Sequence, residues 1–122
     1  MTTRVLIPTK DENGIETADH FGRAPYFAVI ELDENGTVIE MKIHSNTGEH
    51  SGGKGHAHDN VIQYSPKAVI VQGMGPRGIM NFQSHNIAVL RANSKSVQEI
   101  IQAYNQNGLE ELTEGCADAS HK

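Results

Sequence analysis

The stretch AVIVQGMGP, Ala68–Pro76, decides the fold. Its first four residues are apolar and three are β-branched, so no side of the run is fit to face water. It reads as a strand covered on both faces, which belongs in the interior of a sheet. Gln72-Gly73-Met74-Gly75 then punctuates the chain, and Pro76 suits the first turn of a helix because its missing N–H costs nothing there. A strand that feeds a helix returns to the sheet as a parallel neighbour. The second such run is Val5-Leu6-Ile7-Pro8 near the N-terminus, with Pro8 expected to mark its end because proline donates nothing to a ladder. Two fully apolar strands in one small domain should lie centrally and side by side.

The remaining elements fall around this pair. Tyr26–Leu32 (YFAVIEL) and Val38–His44 (VIEMKIH) read as strands joined by Asp33-Glu34-Asn35-Gly36, with Asn35-Gly36 supplying positive φ. Ile39, Met41 and Ile43 alternate with Glu40 and Lys42, which predicts one buried and one wet face, with His44 on the wet one. Asp59 or Asn60 can cap a short helix to about Tyr64, and Pro66 stops it. After Pro76 a helix should carry Ile79, Met80 and Phe82 inward and close at His85-Asn86, Asn86 being a candidate left-handed cap. Ile87–Leu90 reads as the last strand. Ser96 and Glu99 form a candidate capping box for a helix to Asn107 with Val97, Ile100, Ile101 and Tyr104 as its apolar stripe and Gly108 as its stop. Leu109–Leu112 could add one turn. The order is β-β-β-α-β-α-β-α. It predicts an α/β fold, a five-stranded mixed sheet in spatial order 3-2-1-4-5 with helices packed on it, in which the edges at Ile87–Leu90 and Val38–His44 are free to pair. Residues 1–112 form a single domain and residues 113–122 a flexible C-terminal tail.

With 122 residues, 37% hydrophobic and 20% charged, the chain fits one soluble domain. Fifteen acidic against ten basic residues give a net charge of −5, which argues against a nucleic-acid surface, since that needs clustered Lys and Arg to neutralise phosphates. No run is long enough for a membrane span, and no signal-peptide pattern opens the chain. A single cysteine, Cys116, excludes an internal disulfide framework and points to a reducing cytoplasm.

The strand directions decide where chemistry converges. Strands one, three, four and five point the same way. The segments leaving strands one, three and four, namely Lys10–Arg23, the loop Thr47–Asn60 and Gly73-Met74-Gly75, therefore emerge at one end of the sheet, beside a reversal of connection direction that favours ligands. Thr47–Asn60 (TGEHSGGKGHAHDN) carries four glycines and three of the chain's seven histidines, His50, His56 and His58. It has no large apolar residue to bury. Neutral imidazoles ligate zinc, nickel, copper and iron, so the loop reads either as a flap over a metal or as a solvated polar loop. Asp19-His20-Phe21-Gly22-Arg23 reads as a ligand and charge cluster, or as a loop anchored by Phe21. The GMGP turn reads as an anion cradle, or as an ordinary strand-to-helix turn. Cys116 offers a soft thiolate but cannot alone hold a four-thiolate cluster.

There is no nucleophile elbow, Walker A loop, dinucleotide fingerprint or structural-zinc cysteine motif. The strand order resembles that of ribonuclease H-like nucleases. However, the central runs VLIP and AVIV carry no carboxylate to hold two metals.

Together the phrases VLIPT, DHFGRAPYF (Asp19–Phe27), AVIVQGMGPRGIMNF (Ala68–Phe82) and HNIAVLRA, and the helix ending at Asn107-Gly108-Leu109, resemble the dinitrogenase iron–molybdenum cofactor biosynthesis family over roughly Arg4–Leu112. The resemblance implies a ribonuclease H-like fold and a non-catalytic carrier of an iron–sulfur or iron–molybdenum cluster precursor, with cluster donor and acceptor proteins as partners. Carried over by position, His20, Arg23, Gly73, Met74 and Gly75 would line the site. His20, His50, His56, His58 and Cys116 are the candidate ligands. The family name ties these proteins to nitrogen fixation but does not assign this chain a pathway. The rival readings are a Zn²⁺ or Ni²⁺ module built on the histidine loop, a hydrolase using His20 or Asp19 as base, and a protein–protein adaptor.

Overall fold

A computed structural model describes residues 2–19, 21, 24–45 and 64–112. They form one sheet of six strands and two helices: β1 (Thr3–Thr9), β2 (Tyr26–Leu32), β3 (Val38–Ser45), β4 (Ala68–Val71), α1 (Pro76–Ser84), β5 (Ala88–Arg91), α2 (Val97–Asn105) and β6 (Glu111–Leu112). The spatial order is 3-2-1-4-5-6. β1 and β2, and β2 and β3, pair antiparallel, whereas β4 runs parallel to both β1 and β5. The expected order of the first five strands therefore holds. The short helix expected at Asn60–Tyr64 lies almost wholly outside the described residues, as does the tail from 113 on.

Both central strands are buried on both sides, because alternate residues enter two different cores. Leu6, Val69, Val71 and Val89 pack with Phe27 and Val29 beneath Ile79 and Phe82 of α1. Val5, Ile7, Ala68 and Ile70 pack with Ala28 and Ile30 beneath Val97, Ile100 and Ile101 of α2. This period-two division of an apolar run between two helical layers is why neither strand has a polar face.

Several expectations are corrected. Pro8 does not end β1, which stays paired with β2 to Thr9 opposite Tyr26. The carbonyls of Arg4 and Pro8 accept from Lys67 and Ala18, on the side away from β2. The donor that proline lacks would have pointed that way, so Pro8 interrupts only the β4 side. The residues Leu109–Leu112 add no helical turn. Glu111–Leu112 pairs antiparallel with Val89–Leu90 as β6, so the sheet has six strands rather than five and the far edge at β5 is covered. Met80 points outward and is half exposed, because Ile79 and Phe82 lie three residues apart on one face and Met80 does not share it. β3 has no buried face over most of its length. A groove separates Val38 and Met41 from Val97 and Ile101 of α2, and a bulge opposite Glu31/Leu32 displaces Ile39, so only Ile43 joins a core. His44 is not simply wet, since its ring packs on Tyr64 at 4.8 Å.

The helix ends follow from local chemistry. Ser96 accepts from the Glu99 amide, but Glu99 does not close the box. Its carboxylate takes the hydroxyl of Ser94, and Ser94 Oγ receives the Ser96 amide. Both helices finish with a left-handed asparagine, Asn86 at φ 63° and Asn107 at φ 57°, followed by a residue whose amide reaches back to the helix. Those bonds run from Ile87 to the Phe82 carbonyl and from Gly108 to that of Ala103. Gly108 is thus the second residue of the stop, and Asn107 takes the left-handed position.

In the β2–β3 turn only Gly36 is left-handed, at φ 85°. Asp33 Oδ1 accepts from the amides of Asn35 and Thr37, and Asn105 of α2 donates to the Gly36 carbonyl at 2.8 Å. A Cβ on Gly36 would stand 2.5 Å from the Asn105 side chain. Gly36→Ala is expected to destabilise the fold by about 1–3 kcal/mol, from left-handed strain plus the lost turn-to-helix bond. Urea denaturation should show a lower midpoint at unchanged slope.

Candidate functional site

The strand directions bring the C-terminal ends of β1, β3 and β4 to one end of the sheet, here called the upper end. Thr9 at the end of β1 pairs with Tyr26, and Tyr26 pairs with Ser45 at the end of β3. Val71 closes β4 on the other side of β1, and the chain passes through Gln72-Gly73-Met74-Gly75 into α1.

The polar loop after β1 is a built element. Its Thr17 bridges Thr9, and Ala18 donates to the Pro8 carbonyl, so the loop folds back against the end of β1. Asp11 gathers the amides of Asn13, Ile15 and Glu16 on its carboxylate. Slight burial pushes that carboxyl up, but these amides outweigh it and hold it below the usual carboxylate range. Ile15 accepts from Val97, and Thr17 donates to Lys95, which ties the loop to the start of α2.

Gln72 joins this loop to the next one. Its amide nitrogen donates to Thr17 Oγ1 at 2.8 Å and to the Ser94 carbonyl at 2.7 Å. Thr9 and Thr17 are fully buried, and Thr9 Oγ1 donates to the Asp11 carbonyl. A buried hydroxyl without a partner costs roughly 1–3 kcal/mol, so these bonds hold the floor of the upper end rigid. No sequence pattern singles out Thr9, Thr17, Gln72 and Ser94, because their partners are distant in the chain. The one hint is that Gln72 is the first polar residue after a wholly apolar strand.

The phrase after this loop is anchored by its phenylalanine. Phe21 is buried, stacks on Phe27 with centroids 5.5 Å apart, and meets Phe82 of α1 edge to face at 5.4 Å. Of the two readings of this phrase, the anchor is therefore present. His20 and Arg23 lie outside the described residues. So do His50, His56 and His58 of the Gly- and His-rich loop, and Cys116.

The GMG turn is described in full. Met74 packs against the core beneath α1. Neither Gly73 nor Gly75 is left-handed, Gly75 having φ −71° and ψ 162°. Among the described residues, no atom comes within 4 Å of a Cβ built on either glycine. Neither backbone strain nor packing therefore calls for glycine here, and the backbone faces open space. Among the described residues no side chain caps α1, and its first turn holds no acidic residue, so nothing described there offsets the positive end of the helix dipole.

Among the described residues no group of three or more His, Cys, Asp or Glu side chains comes together. His85, at the C-cap of α1, has its Nδ1 2.9 Å from the Asn81 carbonyl and belongs to the helix end. Two concavities lie at the opposite end of the sheet. One of about 410 Å³ is lined by Thr3, Arg4, Glu31 and Lys67, and one of about 350 Å³ by the β2–β3 turn, Lys67 and Asn105. Of the described candidate residues, Gly73, Met74 and Gly75 line neither. No described helix is long and apolar enough to cross a membrane.

The family model described as dinitrogenase iron–molybdenum cofactor matches residues 1–107, and the chain belongs to that family. An uncharacterized protein of Methanocaldococcus jannaschii, MJ0580, is 34% identical over 96 residues, covering 76% of this chain and 80% of its own. The crystal structure of MJ0327 from the same organism superposes with a TM-score of 0.75 at 16% identity, over 92% of this chain and 96% of that one. The apo form of the orange protein of Desulfovibrio gigas gives 0.71 at 17% identity, over 90% and 92%. At these identities the two structures speak for the fold alone.

Proposed function

We propose that this chain is a non-catalytic carrier that receives an iron–sulfur or iron–molybdenum cluster precursor at the upper end of its sheet. It would hand that cargo on to cofactor-assembly proteins in the cytoplasm. The observation that carries this reading is the open GMG turn, whose glycines have no conformational or packing role among the described residues. A bulky, sulfide-rich anion needs bare backbone amides and a positive helix end close by, and Gly73, Gly75 and α1 supply both. Family membership supports the same cargo. Absence of catalysis is favoured by the central strands, which carry no carboxylate where a two-metal nuclease would need one. The likeness to ribonuclease H-like folds belongs to this proposal as well.

In this reading His20 and one or more of His50, His56 and His58 are the ligands, and Cys116 adds a thiolate. Arg23 balances the charge of the cargo, and Met74 shapes the floor. Anaerobic reconstitution with iron and sulfide tests the assignment, followed by absorption spectra and analysis of iron and acid-labile sulfide. The quadruple variant His20→Ala, His50→Ala, His56→Ala, His58→Ala is expected to take up at least about tenfold less iron than wild type. Equal uptake by the two would show that the histidines are not ligands. Tight one-to-one Zn²⁺ or Ni²⁺ binding that survives His20→Ala would instead favour a plain divalent-ion module on the loop.

A further inference from the structure

We propose that β3 is the interface at which two copies of this chain join, edge to edge and antiparallel about a two-fold axis at Met41. β6 covers the far edge of the sheet and is only two residues long, which leaves β3 as the one long strand edge among the described residues. β3 is exposed from Val38 through Lys42.

The direction of its free backbone groups follows from the ladder. The carbonyls of Arg4 and Pro8 point away from β2, so Val5, Ile7 and Thr9 turn their polar groups toward it. Their partners Ile30, Ala28 and Tyr26 face β1, which leaves Phe27, Val29 and Glu31 to bond His44, Lys42 and Glu40 of β3. Met41 and Ile43 therefore present their amides and carbonyls outward. A two-fold antiparallel pairing sets Met41 opposite the partner's Met41, so that outward-facing groups meet outward-facing groups.

The same register sets Glu40 opposite the partner's Lys42, and Lys42 opposite the partner's Glu40. These are non-hydrogen-bonded positions, where facing side chains come closest. Within one chain the two side chains meet only at 3.5 Å across an exposed strand. The strand is thus complementary in charge to its own inverted copy. The bulge at Ile39 limits the ladder to the residues beyond it, which confines the pairing to this register.

The face beside Met41 is apolar as well. Ile15, Val38, Met41 and Ile101 line a groove of about 350 Å³ between the first loop, β3 and α2. Ile15 is 62% exposed and Met41 38%. Directly opposed residues share a face, so each Met41 would extend the groove of the other copy. A two-fold contact closes on itself, whereas pairing β3 with a partner's β6 would propagate.

Sedimentation velocity over about 1–200 µM protein tests this with four proteins: wild type, Glu40→Lys, Lys42→Glu and the double exchange. Wild type should dimerise. Each single exchange opposes like charges at both contacts and should weaken the dimer at least about tenfold. The double exchange restores opposite charges and should restore the dimer. A mixture of the two single variants should pair where neither does alone. Circular dichroism should be unchanged throughout, because both side chains are exposed, while the melting temperature of the wild type should rise with concentration and that of the single variants should not. A wild type that stays monomeric at 200 µM, or single variants that dimerise as wild type does, would overturn the proposal.

Discussion

Gly73→Val and Gly75→Val are expected to leave the fold intact and to reduce iron and sulfide uptake by at least about tenfold. Both positions lie outside the left-handed region, and neither has an atom of the described residues within 4 Å of a built Cβ. At Gly75 the extended backbone before Pro76 is one that valine adopts readily. Replacing a glycine at a compatible backbone angle removes freedom from the unfolded chain, so melting temperature should hold or rise by a few degrees. The loss would fall on the ligand, because the added branched side chain fills the space through which cargo approaches the amides. The pair of measurements separates the two readings of the turn. If GMGP were an ordinary strand-to-helix connection, the valine variants would bind iron and sulfide as wild type does. If the glycines served the fold, the melting temperature would drop.

Phe82→Ala should have the largest effect on stability of any single change considered. Its side chain is fully buried, and it closes a chain of aromatic contacts from α1 through Phe21 to Phe27 on β2. Truncating a buried phenylalanine costs about 3–5 kcal/mol, including the cavity left behind. For a domain of this size that lowers the melting temperature by about 15 °C. Phe82→Leu keeps most of the volume and should cost less than about 1.5 kcal/mol. Because Phe21 sits within the DHFGRAPYF phrase, the alanine variant should also loosen that phrase. Hydrogen exchange of the Phe21 and Ala24 amides is expected to speed up more than that of the β1–β2 ladder. Uniform exchange across the two regions would argue that Phe21 is held by other contacts.

Much of the sheet is legible from residue types alone. AVIV and VLIP identify themselves as strands covered on both sides, and their central placement follows because only interior strands are shielded twice. Two helices show in their apolar spacing, and their ends show in Ser96, Asn86 and Pro76. Errors arise where one residue can satisfy a local rule in two ways. Met80 fits an apolar stripe by adjacency, but the helix turns it away from Ile79 and Phe82. Asn35-Gly36 is a two-residue hairpin signal, but Asp33 captures two amides and leaves only Gly36 left-handed. Gly108 looks like the helix stop, but Asn107 reaches the left-handed position first. The candidate site is legible in part. The GMG turn is visible as a motif, while the Gln72 bonds to Thr17 and Ser94 have no motif because they join residues 55 and 22 positions apart.

The amino-acid sequence by itself determined the first five strands and their order, the two described helices, and the end of the sheet at which the GMG turn lies. Those follow from burial periodicity and from the handedness of connections, which are local or nearly so. Only the tertiary structure decided that Glu111–Leu112 adds a sixth strand, that β3 is left bare, and that Gly73 and Gly75 face open space. Each of these depends on which distant surface happens to arrive. Two residues can join a sheet only where an unpaired edge is within reach, and a strand face is buried only as far as its covering helix extends. A glycine faces open space only when nothing else in the fold fills the room beside it.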